Sequence, residues 1–456
     1  MSSYNIITRE MVLGGDCIGQ IDGKTIFIPF AVPGEKLKIE TVSCKRDYET
    51  AKIVDILESS EHRIKPPCKF YEICGGCNMM HIESSFQREL RSNMLRACFE
   101  REKIKTPDIT VLYDKDSGYR CRFQFHDGGL SMRKSNTIVP IDSCFIASDE
   151  INEWLNAVPK EQRPKGRIHV FGGSCVVDDT ESSGAATASS AAASFSRLGL
   201  SKADSKAPER KFPRLLIESP ELIPSSGGTG CAANNFYRAA AKISRTSKKK
   251  KKFVNNFFSG TILNHSNIAT VVISGKKIVF DIRGFFQSNV SVLEKTIDIL
   301  CSDLSGKNVL DMYSGAGTFS VFLADRFEKV IMVEHNRDAM VFAEMNMKGR
   351  PHAAYGLSGV KWVSQHASAI LKNEGNFDAV VIDPPRSGIE KEVLSWLCKT
   401  HPLRIRSLSC DPATHARDAA FFVKAGYKLS KLYLLDFYPQ TSHIESLAFF
   451  DYSNPY

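Results

Sequence analysis

Cys410 stands in the run Leu408-Ser409-Cys410-Asp411-Pro412-Ala413-Thr414. Arg404 to Leu408 reads as a short strand and Thr414 to Lys424 as a helix, so the thiol is expected at the carboxyl end of a strand. Open α/β sheets present their chemistry there. Three landmarks accompany it: Asp311-Met-Tyr-Ser-Gly-Ala-Gly317, Asp383-Pro384-Pro385-Arg386 and His443-Ile444-Glu445-Ser446. A glycine-rich turn, an acidic strand end, a cysteine and a late glutamate together point to covalent methyl transfer onto a pyrimidine. Carbon 5 of uracil is too weak a nucleophile to attack a sulfonium unaided. A thiolate adding at carbon 6 turns carbon 5 into an enolate carbon that takes the methyl group. The carbon 5 proton must then pass to a base before the thiol is eliminated. Cys410 suits the first role and Glu445 the second. His443 is a second base candidate, although a single histidine near a strand end more often serves a structural hydrogen bond.

The turn from Asp311 to Gly317 follows a strand but lacks the Gly-Lys-Ser/Thr ending of a phosphate-binding loop, and it is not a full G-x-G-x-x-G. Gly315 and Gly317 allow close backbone approach to a ligand. Glu334 lies 23 residues on, counted from Asp311, at the end of the next strand. A carboxylate there can accept from both ribose hydroxyls of an adenosyl cofactor. No second phosphate-binding turn is present, which favours S-adenosylmethionine over NAD. Asp383 could orient the target base. The residue after Asp-Pro-Pro is Arg386 rather than the stacking aromatic of adenine amino-methyltransferases, which argues against amine methylation.

Cys68, Cys74 and Cys77 have C-x5-C-x2-C spacing, with Gly75-Gly76 letting the loop bend. Two thiols separated by two residues readily chelate one metal unit. Cys144 is the candidate fourth ligand, with Cys98 and Cys121 as alternatives. Four thiolates suit either zinc or an iron–sulfur cluster, and spacing leaves both open.

These residues need elements to place them. From Asn267 onward, strands are expected at Val309–Asp311, Val330–Glu334, Val360–Ser364, Ala379–Asp383, Ile405–Cys410, Tyr427–Asp436 and Ile444–Phe450, with helices separating the first six. That describes a seven-stranded doubly wound sheet whose last pair is antiparallel. Residues 1–60 alternate short apolar runs with glycine turns and suggest five strands in an OB-like barrel. Residues 61–264 hold the cysteines, an amphipathic helix at about Ser84 to Glu102 and a β-rich stretch from Tyr119 to Asp142. Within that part, about 178–254 is Ser-, Ala-, Gly- and Lys-rich, which suggests a partly mobile insertion. Residues 265–456 form the cofactor-binding domain.

A chain of 456 residues accommodates these three parts. No apolar run reaches membrane-span length and the N-terminus shows no signal pattern. The chain is therefore read as cytoplasmic, and its 13 cysteines as metal-binding, reactive or simply apolar rather than disulfide-forming. The net charge of +9 fits a polyanionic partner, although Lys248 to Lys252 supplies over half of it.

Taken together, the chain resembles the RNA uridine-5-methyltransferase family, in particular its TRAM-containing, iron–sulfur branch acting on 23S ribosomal RNA. Residues 1–60, with Val32-Pro-Gly-Glu35, resemble its TRAM domain. Gly118-Tyr-Arg-x-Arg122 resembles the opening of its central β domain. Phe286-Gln287-Ser288-Asn289 lies in a stretch like its F-x-Q-x-N motif. The resemblance implies a 4Fe–4S cluster on Cys68, Cys74, Cys77 and Cys144. It implies S-adenosylmethionine contacts from Gln287, Tyr313, Thr318, Glu334 and Asp383, with Cys410 as nucleophile and Glu445 as base. The protein is expected to act on RNA as a monomer, away from membranes. Departures are the 183–252 stretch and Gln365-His366-Ala367, which lacks the acidic residue many methyltransferases place near adenine. The rival readings are the same chemistry on transfer RNA and a non-catalytic RNA-binding protein on the same scaffold. A cytosine-5 enzyme is disfavoured because Ser409 stands where a Pro-Cys pair would need proline.

Overall fold

Short apolar runs broken by tight turns build the N-terminal sheet. The computed structural model describes residues 3–173, 214–218 and 268–452. Strands β1 (Ser3–Ile7), β2 (Glu10–Met11), β3 (Cys17–Ile21), β4 (Lys24–Ile28), β5 (Lys36–Cys44) and β6 (Tyr48–Glu58) form one sheet in the order β1-β5-β6-β4-β3-β2. The sheet curls: after β1, the Arg9 amide donates to Ile18 O at 2.8 Å. A Cβ on Gly19 would lie 2.4 Å from Ile6 Cδ1 and 3.2 Å from Ile7 O, so β1 packs closely over β3 at this glycine. Six strands form where five were expected, the extra one being the two-residue β2.

A helix over Ser84–Arg101 follows, as expected, and then β7 (Ile109–Leu112). The β-rich stretch contains β8 (Arg122–His126), β9 (Leu130–Ser131) and β10 (Ile138–Val139), with β11 (Arg167–Gly173) beyond a helix at Asp149–Ala157. β8 and β11 pair antiparallel, and β11 also pairs with β12 (Arg214–Glu218). The expected insertion is thus interrupted by a strand: Arg-Leu-Leu-Ile-Glu is an apolar island that a composition average conceals. Ser183 to Ser196 and Lys248 to Lys252 lie outside the described residues. Next comes a hairpin of β13 (Ile268–Ile273) and β14 (Lys276–Asp281). Its turn, Ser274-Gly275, has φ of +44° and +78°, the left-handed pair that matches strand twist.

The large sheet holds β15 (Gly306–Met312), β16 (Phe327–Val333), β17 (His352–Tyr355), β18 (Ala379–Ile382), β19 (Arg404–Ser409), β20 (Tyr427–Leu435) and β21 (Glu445–Tyr452). Its order is β17-β16-β15-β18-β19-β21-β20-β7. β15 to β19 run parallel, and β21 is antiparallel to both β19 and β20. Parallel strands covered on both faces read as continuous apolar runs. Accordingly, Leu310 and Val380 enter one core and Val309 and Val381 the other.

Two expectations are corrected here. The third strand is His352–Tyr355, not Val360–Ser364. Ser358 caps a helix by accepting from the Lys361 amide, and Val360-Lys-Trp-Val363 continues as helix with Trp362 fully buried. The sheet has eight strands, because β7 comes from the N-terminal half and pairs parallel with β20. That strand covers an edge that would otherwise expose unpaired backbone.

Candidate active site

The strand order changes direction between β15 and β18, and the open α/β rule places a ligand at the carboxyl ends beside that switch. The turn after β15 is tightly wound. Tyr313 has φ +65°, Gly315 +55° and Gly317 +75°, and the Tyr313 and Ser314 amides both donate to Val333 O. A non-glycine residue held left-handed is strained, and such strain collects at functional sites. Gly317 is needed sterically, since a Cβ there would lie 3.1 Å from the Ala343 backbone, whereas one at Gly315 would meet only open space.

Among the described residues, Gln287 Oε1, Asp311 Oδ1 and Ser314 Oγ are buried polar atoms without a hydrogen-bond partner. Orphaned buried polar atoms cost about 1–3 kcal/mol each, so a ligand able to bond them would be held. Glu334 accepts from the Gly315 amide at 2.9 Å and the Asn336 amide at 2.6 Å, which fixes its carboxylate at the end of β16. Thr318 begins the helix Thr318–Leu323 and is half-buried. The Tyr313 hydroxyl donates to Glu390 at 3.2 Å. Burial, then Asp383 and Glu334, push Asp311 up to about 7, against the Ser320 hydrogen bond. Burial, then Glu334, push Asp383 up to about 7. Three carboxyls crowd the strand ends, which suits a cationic ligand.

Cys410 lies in the turn between β19 and the helix Pro412–Lys424. Asp411 caps that helix by accepting from the Thr414 amide at 2.9 Å, and Pro412 occupies its first turn, where no amide donor is needed. This cap forces the chain out of the strand at Cys410. The Thr414 hydroxyl also donates to Arg386 O, joining the Asp383-Pro-Pro-Arg loop to the same turn. Across the sheet, Ser409 pairs with Ser446 in the antiparallel ladder, which sets Cys410 opposite Glu445. Glu445 is only 7% exposed. Burial, then Asp383, raise it to about 8, with Arg386 opposing. Burial, then Glu445 and Asp383, raise Cys410 to about 11, again with Arg386 opposing. His443 is exposed, with its ring 5.7 Å from that of Tyr438.

Tyr438, Ser314 and Asp311 Oδ1 escaped the sequence reading as site groups. Tyr438 is raised to about 12 by burial and then by Glu445, and Cys410 adds to the shift. Its one sequence signal is an aromatic residue in the short link before Glu445.

The structure also brings Cys68, Cys74, Cys77 and Cys144 to one cavity of about 450 Å³, walled by Phe70, Tyr71 and Phe123. Burial raises Cys74, Cys77 and Cys144, and each also responds to the charge of other thiols in the set. Among the described residues, no three of His, Cys, Asp or Glu are drawn together as a ready-formed metal site. Cys98 is buried in the first core, and the Cys121 thiol donates to Ser288 O at 3.1 Å, so the two alternative ligands are placed elsewhere.

This doubly wound sheet, with its glycine-rich turn beside three crowded carboxyls, fits a methyltransferase that takes a nucleoside cofactor. The family model described as tRNA (Uracil-5-)-methyltransferase matches residues 241–354 and 357–452. An "Uncharacterized RNA methyltransferase" of Treponema denticola is 32% identical over 490 residues, covering 99% of each chain. The 23S rRNA (uracil(1939)-C(5))-methyltransferase RlmD of Shewanella amazonensis is 28% identical over 461 residues, covering 96% of this chain and 94% of that one. The tRNA (uracil-54, C5)-methyltransferase of Pyrococcus abyssi, solved with S-adenosyl-L-homocysteine, shares the fold. Its TM-score is 0.65 over 98% of this chain and 100% of that one, at 19% identity. The chain belongs to the RNA uracil-C5-methyltransferase family and uses S-adenosylmethionine. No helix among the described residues is long and apolar enough to cross a membrane.

Proposed function

We propose that this protein methylates carbon 5 of a specific uridine in 23S ribosomal RNA through a covalent bond between Cys410 and carbon 6, acting as a cytoplasmic monomer. The observation that carries the chemistry is the placement of Cys410 opposite Glu445, next to Asp383. When bound, S-adenosylmethionine supplies the methyl group on a sulfonium whose positive charge offsets the crowded carboxyls. Gln287, Tyr313, Thr318, Glu334 and Asp383 would hold it, with Asp311 and Ser314 completing the pocket. Cys410 adds to carbon 6 as thiolate. Arg386, which favours the charged forms of both Cys410 and Glu445, helps that thiolate form. Glu445 then takes the carbon 5 proton.

The choice of ribosomal RNA rests on the Shewanella relative, which aligns over nearly the whole chain. Residues 3–58 act in this reading as a TRAM-type RNA-binding barrel. Cys68, Cys74, Cys77 and Cys144 would hold a 4Fe–4S cluster. The decisive experiment supplies labelled S-adenosylmethionine with 23S ribosomal RNA and with bulk transfer RNA. 5-Methyluridine confined to 23S RNA supports the reading. Label confined to transfer RNA assigns the substrate otherwise, and no label in either supports a non-catalytic RNA-binding protein.

A further inference from the structure

The loop that delivers Glu445 is held from outside its own domain. It joins β20 to β21, and Glu445 is the first residue of β21, so the approach of the carboxyl depends on how residues 440–444 are fixed. Asn78, the residue directly after Cys77, clips that loop with both ends of its amide. Its Nδ2 donates to Ser442 Oγ at 2.9 Å and its Oδ1 accepts from the Ser442 amide at 2.9 Å. The Asn78 and Met79 amides donate to Gln440 O at 3.2 and 3.1 Å. The same Nδ2 donates to Gly14 O, in the turn between β2 and β3 of the N-terminal sheet, at 2.8 Å. One side chain therefore joins the curled sheet, the cysteine loop and the segment three residues before Glu445.

We infer that Asn78 is a positioning residue for the general base, so that the cysteine loop governs proton removal rather than methyl transfer. The inference rests on the covalent reading above. In the step concerned, the carbon 5 proton passes to the Glu445 carboxylate. The C–H electron pair becomes the C5=C6 double bond, and the C6–S bond breaks with its pair leaving on the Cys410 sulfur. Attack by Cys410 uses a turn set by the Asp411 cap and does not pass through Asn78. Proton removal does depend on the loop, and a displacement of about 1 Å in a reacting group can cost about 10²-fold.

Asn78→Ala is tested on two RNAs. With uridine RNA, turnover should fall about 10- to 100-fold while a covalent protein–RNA adduct accumulates during turnover. With 5-fluorouridine RNA, whose fluorine cannot leave as a cation, the adduct should form at the wild-type rate, and cofactor affinity should be unchanged. Ser442→Ala removes only the hydroxyl end of the clip and should show the same pattern more weakly, which guards against a folding failure in the first variant. Unchanged turnover in Asn78→Ala, or equal losses of turnover and of 5-fluorouridine adduct formation, overturns the inference. A wild-type protein that forms no adduct with 5-fluorouridine RNA instead overturns the covalent reading, and the inference with it.

Discussion

Cys410 and Glu445 each lie one residue beyond the Ser409–Ser446 pair that ends the β19–β21 ladder, and the charge of Glu445 acts on the Cys410 thiol. Burial, then Glu445 and Asp383, raise the proton affinity of Cys410; burial, then Asp383, raise that of Glu445; and Arg386 opposes both effects. A thiol and a carboxyl coupled in this way cannot both be charged cheaply in the free protein. Their roles in the proposed reaction are consecutive: the thiolate is consumed in the adduct before the carboxylate must act.

Cys410→Ala should abolish turnover, by more than about 10⁴-fold, because loss of a covalent nucleophile exceeds the usual cost of losing an acid or base. Cofactor affinity, measured by calorimetry, should stay within about twofold. Near-normal turnover in this variant contradicts the mechanism.

Turnover limited by proton removal should rise with pH and level off above about 8, where Glu445 is ionised. Stability runs the other way. Glu445 binds its proton more tightly in the fold than in the unfolded chain, so its contribution is full at low pH and is lost as pH rises through about 8. Glu445→Gln, which cannot ionise, should therefore raise the thermal midpoint of the ligand-free protein. The gain should grow from pH 5 to pH 8, at roughly 2–4 °C per kcal/mol for a domain of this size. A gain that shrinks over that range contradicts the assignment.

Gln287→Ala removes a buried carbonyl that has no partner among the described residues. If that atom bonds the cofactor, affinity for S-adenosylmethionine should weaken about tenfold, the value of one hydrogen bond, with little change in the unfolding midpoint. Unaltered affinity places Gln287 outside the cofactor site.

Protein prepared without oxygen should be brown and carry about four irons per chain. Cys74→Ser should lose iron and lower the midpoint, while the parallel strands β15 to β19, which make no contact with the cysteine loop in their ladders, keep their fold. One zinc per chain, with neither iron nor labile sulfide, refutes the cluster and leaves the methyltransferase reading intact.

The central strands were legible because burial on both faces writes an apolar run into each, as in Val380-Val-Ile382. The third strand was missed because Val360 and Val363 look strand-like, yet the Ser358 cap and the burial of Trp362 favour helix. β7 was illegible because its partner, β20, lies over three hundred residues away, and four residues carry no periodicity that names it. The place of Cys410 at the end of β19 was legible from its neighbours, because Asp411 and Pro412 form the N-terminal cap and first turn of the helix that follows. The Asn78–Ser442 clip was not, since hydrogen bonds between distant loops leave no local pattern.

The most direct test of the covalent reaction is Glu445→Gln incubated with S-adenosylmethionine and ordinary uridine RNA, followed by a denaturing gel and intact mass analysis. Attack and methyl transfer precede proton removal, so the variant should accumulate a protein–RNA species carrying one added methyl group. The added Cys410→Ala substitution should abolish it. A Glu445→Gln protein that forms no such species yet keeps full turnover would contradict the assignment of Glu445 as base and the adduct mechanism built on it.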